Sequence, residues 1–180
     1  MSAELQLRTA LEQMREIRRQ IGKPKEWAYD CPEDFVLQHG TWFEHRPLPD
    51  EFEYGGPQLC YGNSIILGAM RGLDYYEGYG LSFGLPVMHA WNVDADGLVV
   101  DSTWRAHMED DPHERLPMEG VVYCGVRFSV GRAADAAFVG DANVLDDWQR
   151  GYKLYEKPWL GEDDSLVWTP LDELVLNAED

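Results

Sequence analysis

The first clear pattern in the chain is a one-faced helix. Leu5, Leu7, Ala10, Leu11, Met14, Ile17 and Ile21 recur at threes and fours, with Arg8, Glu12, Arg15 and Arg18 in the gaps. That spacing predicts a helix over 3–21, stopped by Gly22 and then Pro24. A Lys-Pro-Lys linker follows, then a predicted short helix over Pro32–His39, with Asp30 or Cys31 near its N-cap and Gly40 at its end. Residues 41–57, rich in Pro, Gly, aromatics and acids, read as a long loop of the kind that covers a pocket or runs around a fold. From Cys60, the run Ile65, Ile66, Leu67, Ala69, Met70 predicts a buried helix ending near Gly72.

Beyond Gly72 the pattern changes to strands. Residues 73–83 carry Tyr75, Tyr76 and Tyr79 and predict a strand with Glu77 inside it. Segments 87–93 and 98–103 flank Asp94-Ala95-Asp96-Gly97, whose Asp-Gly end signals a hairpin. Residues 106–117 read as a charged loop, and 121–130 as a strand with Val122, Cys124, Val126 and Phe128 on one face. Helices are predicted over 132–139 and 142–153, the second carrying Val144, Leu145, Trp148 and Tyr152. The stretch 166–176 alternates apolar and acidic residues, as a last strand or a draped extension. The sum is α+β, with a cysteine-bearing helix packed on an antiparallel sheet. One domain is expected over 1–180: an N-terminal amphipathic helix (1–22), a core (31–130), and a helical and extended C-terminal region (131–180).

Composition narrows the function classes. The chain has 180 residues, 44% hydrophobic and 27% charged, enough for a real core and unlike a disordered chain. Its formal charge of −18 repels phosphate backbones and anionic lipid, so neither nucleic acid nor a membrane surface is an expected partner. Cys31, Cys60 and Cys124 are widely spaced and include no CxxC pair, which fits neither a disulfide framework nor a zinc site. The N-terminus has no basic or apolar leader region, and no apolar run reaches transmembrane length. A cytoplasmic location with free thiols is therefore expected.

Candidate chemistry lies between Gly55 and Trp104. Cys60 follows Pro57 and precedes an apolar helical run, which places it in a first helical turn. There, unpaired N–H groups and the positive end of the dipole stabilise a thiolate and can hold an oxyanion. With 94–97 as a three- or four-residue loop, cross-strand partners sum to about 190–191. His89 then stands within a residue of facing Ser102 or Asp101, and the carboxylate can fix the imidazole tautomer for the thiol. A tighter two-residue loop would slip this register. Cys60, His89 and Asp101 are thus the candidate nucleophile, base and orienter. Taken singly, each has an ordinary structural explanation, and it is the set that points to chemistry.

Cys60 at a helix start, then His89-Ala90-Trp91, then Asp101-Ser102-Thr103, resembles the transglutaminase-like branch of the papain-like cysteine protease superfamily. Members show a cysteine, a His-Ala-Trp segment, and an Asp followed by a small residue and Thr. The longer pattern of Cys60-x-x-Asn63, Tyr76-Glu77-Gly78-Tyr79, Pro86 and Gly125-Val126-x-Phe128 is similar to small uncharacterised bacterial and phage proteins. The likeness covers roughly residues 31–130. It implies a papain-like core, the catalytic roles for Cys60, His89 and Asp101, and acyl transfer or amide hydrolysis through a thioester, without metal or other cofactor. Protein, peptide or small amide or amine substrates would suit such a site. Where the family often has Gly-x-Cys-Trp, this chain has Gln58-Leu59-Cys60-Tyr61, with Tyr61 in the place of the aromatic and Gln58 as an amide donor for an oxyanion.

Further candidates stand around the three. Asn63, one turn beyond Cys60, binds a substrate amide or hydrogen-bonds locally. Glu77 among tyrosines needs a partner or water, and either recognises an amine or points to solvent. Trp91 and Trp104 wall a cleft or, as the favoured reading, fill the core. Cys31 and Cys124 read as structural. The loop from His107 to His113 has metal-capable side chains without regular spacing on a rigid element, so metal-dependent hydrolysis is a minor alternative. The principal alternative to an enzyme is a non-catalytic binding protein on the same fold, for example a phage-encoded modulator of a host protein.

Overall fold

The computed structural model describes residues 1–104, 120–138, 143–146 and 152–161. The predicted 106–117 loop with its histidines, the 166–176 segment and half of the predicted 142–153 helix lie outside the described residues, and the described 143–146 form a turn rather than helix. The described chain is α+β, four α-helices on an antiparallel sheet of five strands. Helix α1 spans Ala3–Ile21 and α2 spans Pro32–His39. Strand β1 (Thr41–Glu44) precedes α3 (Cys60–Arg71), β2 (Asp74–Ser82), β3 (Leu85–Val93), β4 (Val99–Val100), β5 (Val122–Phe128) and α4 (Val130–Phe138). The strands lie in the order β1-β5-β2-β3-β4. None of the described helices is long and apolar enough to cross a membrane.

Three expectations are corrected. The 41–57 loop opens with a strand: β1 pairs antiparallel with β5, Trp42 facing Cys124 and Phe43 facing Tyr123. Only four residues long and followed by Pro47 and Pro49, this edge strand is outweighed in the sequence by its loop-like sequel. Helix α3 is not buried throughout. Cys60, Ser64 and Gly68 form its buried stripe, while Ile66 and Met70 are exposed. Small residues win the inner face because the helix lies close: a Cβ on Gly68 would stand 2.9 Å from Val130 Cγ2 and 3.1 Å from Asn92 Nδ2. Finally, the β3–β4 loop is longer than expected. Val93 faces Val99 and Asn92 faces Val100, so partner numbers sum to 192. Asp94 Oδ1 closes that loop by accepting from the N–H groups of Asp96 (3.0 Å) and Leu98 (2.9 Å).

Strand alternation divides the sheet into two unlike faces. Tyr75, Glu77, Tyr79 and Leu81 of β2 share one face with Ala90 of β3 and with Cys124, Val126 and Phe128 of β5. This face packs on Leu7 and Leu11 of α1, Phe35 and Val36 of α2, and Ala133 and Ala136 of α4. The expected apolar face of β5 lies there. On the reverse face, Trp91, Val93, Val99, Val121 and Tyr123 make a second cluster, with Phe43, Tyr76 and Trp104 packed against it. His89 belongs to this aromatic face, opposite Gly78 of β2.

Candidate functional site

Cys60 is the first residue of α3 and is 9% exposed. Its N-cap residue, Leu59, offers no side-chain cap, so the N–H groups of the first turn face whatever binds there. The chain enters the turn through Gln58, whose φ of 62° costs a non-glycine residue about 1–2 kcal/mol. Asn63 offsets part of that cost. Its amide donates to Gly56 O (2.8 Å) and to Thr103 Oγ1 (2.9 Å), and Gly55 N–H donates to Ser102 O (2.8 Å). Gly55 has to be glycine here, because a Cβ would fall 2.3 Å from Asn63 Oδ1. These bonds tie the entry to α3 directly to the turn that carries Asp101.

That turn begins where β4 stops. Asp101 leaves the sheet, and its Oδ1 accepts from the N–H groups of Thr103 (2.8 Å) and Trp104 (3.1 Å), an Asx turn that folds the chain back. Its Oδ2 accepts from His89 Nε2–H at 2.8 Å and from the Tyr123 hydroxyl at 3.0 Å. The His89–Asp101 contact predicted from cross-strand register is therefore present for a different reason. The two residues are not paired strand positions, and the turn brings the carboxylate back over His89.

The pair is almost fully enclosed, with side-chain exposures of 2% for His89 and 1% for Asp101. Burial alone would push the imidazole pKa down, but the Asp101 charge and hydrogen bond outweigh it, and the Cys60 thiol on the same ring adds to their effect. The result is a pKa pushed up to about 9. Burial pushes the Asp101 carboxyl up, yet His89 and the two backbone N–H groups hold it below its ordinary value. Because Nε2 is committed to Asp101, Nδ1 is the ring nitrogen left to exchange a proton with sulfur.

The imidazole is also held flat. Trp104 stacks on it at 3.9 Å between centroids, with planes 14° apart. Glycines make room for this layer. A Cβ on Gly80 would lie 2.4 Å from Trp104 Cη2, and one on Gly125 would lie 2.4 Å from Trp91 Cη2. Trp91 is completely buried beside Tyr123 and fills the core, as favoured from sequence.

The remaining candidates separate by place. Gln58 is exposed just ahead of α3, and Tyr61 is half-buried against the helix-covered core, where burial raises its pKa. Glu77 is on the helix-covered face, away from the His89 ring. It accepts from the Tyr75 hydroxyl (2.7 Å) and from the N–H groups of Val144 and Leu145 (both 3.0 Å). Neither solvent nor an amine is its partner; a later part of the chain is. Cys31 and Cys124 are buried, and burial pushes both thiols up to about 12. Among the described residues, no three His, Cys, Asp or Glu side chains gather as a metal site.

Two residues at the site escaped sequence reasoning. Tyr123 bonds Asp101, and His45 Nδ1 lies 2.7 Å from the Tyr123 hydroxyl. Tyr123 sits between apolar strand residues, and His45 follows β1 by one position. Only the β1–β5 pairing brings them together, so no local pattern marks either. No protein-family profile, no curated protein and no solved structure matches the chain.

Proposed function

We propose that the protein is a cysteine-dependent acyl-transfer enzyme with a papain-like, transglutaminase-like core, in which Cys60, His89 and Asp101 act as nucleophile, acid–base and orienter. The observation that carries this reading is the enclosed His89 ring, held by the Asp101 carboxylate on Nε2 at 2.8 Å and stacked by Trp104, with the Cys60 thiol adding to the rise of its pKa. The order of elements supports it too: a helix beginning with cysteine, then a strand histidine, then an aspartate just past the next strand.

In the first step the Cys60 thiolate attacks a carbonyl carbon and forms a tetrahedral oxyanion. The uncapped N–H groups of the first turn of α3 are the donors placed to receive that charge. Collapse breaks the C–N bond, His89 gives its proton to the leaving amine, and a thioester remains on Cys60. Water or a second amine then attacks the thioester while neutral His89 accepts its proton. Sulfur leaves as thiolate, and the imidazolium–thiolate pair is restored. Water gives hydrolysis and an amine gives transfer, so protein, peptide or small amide and amine substrates all suit the chemistry.

The test is the rate of Cys60 alkylation by iodoacetamide against pH, read by mass spectrometry in wild type and in His89→Ala. The expected outcome is faster alkylation at neutral pH in wild type than in His89→Ala. Identical profiles in the two proteins would overturn the enzyme reading in favour of a non-catalytic binding protein.

A further inference from the structure

We propose that His45 is a positioning residue for this site: held as its neutral Nδ1–H tautomer, it orients the Tyr123 hydroxyl so that Asp101 stays fixed on His89. The proposal rests on the reading of Cys60, His89 and Asp101 as a reacting set, and extends that set by two residues.

Proton accounting carries it. The Tyr123 hydroxyl has one proton and lies between two possible acceptors, Asp101 Oδ2 at 3.0 Å and His45 Nδ1 at 2.7 Å. A buried carboxylate is the stronger acceptor, so the proton points to Asp101. The tyrosine oxygen then faces His45 Nδ1 with a lone pair, and the contact is attractive only if Nδ1 carries a hydrogen. The other ring nitrogen settles the charge. His45 Nε2 is buried with no hydrogen-bond partner among the described residues. A bare lone pair there is the cheaper of two unsatisfied states, since an imidazolium N–H without an acceptor would leave a charge uncompensated. Burial lowers the pKa of His45, His89 lowers it further, and Asp101 opposes them, in keeping with a neutral ring.

The backbone explains why the ring cannot choose otherwise. His45 N–H donates to Val121 O at 3.2 Å, which continues the β1–β5 ladder by one residue. Arg46 then bonds Val99 O and Asp94 across the β3–β4 hairpin. The imidazole is thus fixed against Tyr123 from both sides, with ring centroids 6.0 Å apart. The titratable groups facing it are Tyr123 of β5, Asp101 of the turn after β4 and His89 of β3, while Tyr54 approaches Tyr123. Donors in series polarise one another, so the His45 N–H strengthens the Tyr123 donation to Asp101. Without it the hydroxyl is free to turn away, and Asp101 Oδ2 loses the donor that holds it in line with the His89 ring.

The test is nitrogen-15 NMR of the histidine rings in the intact protein, with backbone amide spectra checking that each variant is folded. In wild type at pH 7.5, His45 should show a protonated Nδ1 and a bare Nε2. The apparent pKa of His89 should fall by about 1, a tenfold loss of proton affinity, in His45→Ala. It should return in His45→Asn, whose side-chain amide can donate from near the Nδ1 position. Tyr123→Phe should reproduce the fall, and the His45→Ala/Tyr123→Phe double variant should fall no further. A protonated Nε2 on wild-type His45, an unmoved His89 in His45→Ala, or an Asn variant that behaves as Ala would each overturn the proposal. These readouts belong to the resting protein. A failed iodoacetamide profile would remove the enzyme reading and leave the relay standing, whereas failure here removes only His45.

Discussion

Two carboxylates are buried on opposite faces of the same sheet, and they are held by nearly the same donors. Glu77 accepts from two backbone N–H groups and the Tyr75 hydroxyl. Asp101 accepts from two backbone N–H groups and the Tyr123 hydroxyl. Yet burial raises Glu77 to about 7, while Asp101 is held below its ordinary value. What differs is a close cation. Asp101 has the His89 ring at 2.8 Å, whereas Arg132 acts on Glu77 less than burial or any of its three hydrogen bonds does. Neutral donors alone do not offset full desolvation of a carboxylate, but neutral donors with an imidazolium do. The sequence distances differ as well. The donors to Glu77 come from residues 144 and 145, so Glu77 pins a distant segment, while those to Asp101 come from its own turn and leave Oδ2 for His89. One carboxylate latches a distant segment of chain, and the other holds an imidazole.

The sharpest way to break this contrast is to neutralise each carboxylate in turn. Asp101→Asn keeps a carbonyl oxygen for Thr103 and Trp104 but turns an amide N–H toward His89 Nε2. That favours the tautomer with Nδ1 protonated, which cannot take a proton from Cys60. Acylation of Cys60 by p-nitrophenyl acetate should fall by about 10³-fold or more, while the protein stays folded. Glu77→Ala should do the reverse. It leaves two buried N–H groups and a tyrosine hydroxyl unpaired, so urea denaturation should show a loss of about 3 kcal/mol. Cys60 acylation in the folded fraction should be unchanged. Equal effects of both variants on acylation would erase the distinction.

The pH dependence of stability sharpens the same comparison. Glu77 has a folded pKa raised to about 7, so its contribution is fully present below its unfolded value and is lost as pH rises through about 7. His89, raised to about 9, contributes fully below its own unfolded value and loses that contribution as pH rises through about 9. Both slopes are downward and occupy successive windows. Urea midpoints in Glu77→Gln should flatten between about pH 4.5 and 7, a span worth roughly 3 kcal/mol, while those in His89→Gln should flatten between about pH 6.5 and 9. A flattened upper window in Glu77→Gln would contradict the assignment.

The two regions were not equally legible in the sequence. The extent of α1 and the apolar face of β5 follow from periodicity and that of α2 from its cap and Gly40, although α1 buries only Leu7 and Leu11 of its expected stripe and leaves Leu5, Ile17 and Ile21 exposed. The order Cys60, His89, Asp101 was visible because each residue type brings its own chemistry to the end or edge of an element. The route by which Asp101 reaches His89 was not visible. The five-residue loop after Val93 moves the register past the expected pairing, and the Asx turn that restores the contact depends on side-chain geometry within residues 101–104. The partners of Glu77 were hidden for a plainer reason. Nothing near residue 77 records that the chain returns at residue 144. His45 and Tyr123 lie 78 positions apart and meet only through the β1–β5 pairing.

The smallest effect expected is at Asn63, where the site and its scaffold meet. Its amide joins Gly56 O to Thr103 Oγ1, and so joins the entry of α3 to the turn that holds Asp101. Asn63→Ala removes two half-buried hydrogen bonds and should cost about 1–2 kcal/mol in urea denaturation. Asn63→Asp is the more informative change, because a carboxylate accepts from Thr103 Oγ1 but repels Gly56 O. If Asn63 only holds the loop, both variants should lower the acylation rate of Cys60 by a few-fold without moving its pH profile, since neither touches the bond from His89 to Asp101. A displaced pH profile in Asn63→Ala would mean that this amide helps set the charge on His89, and the boundary between latch and base would then have to be redrawn to include it.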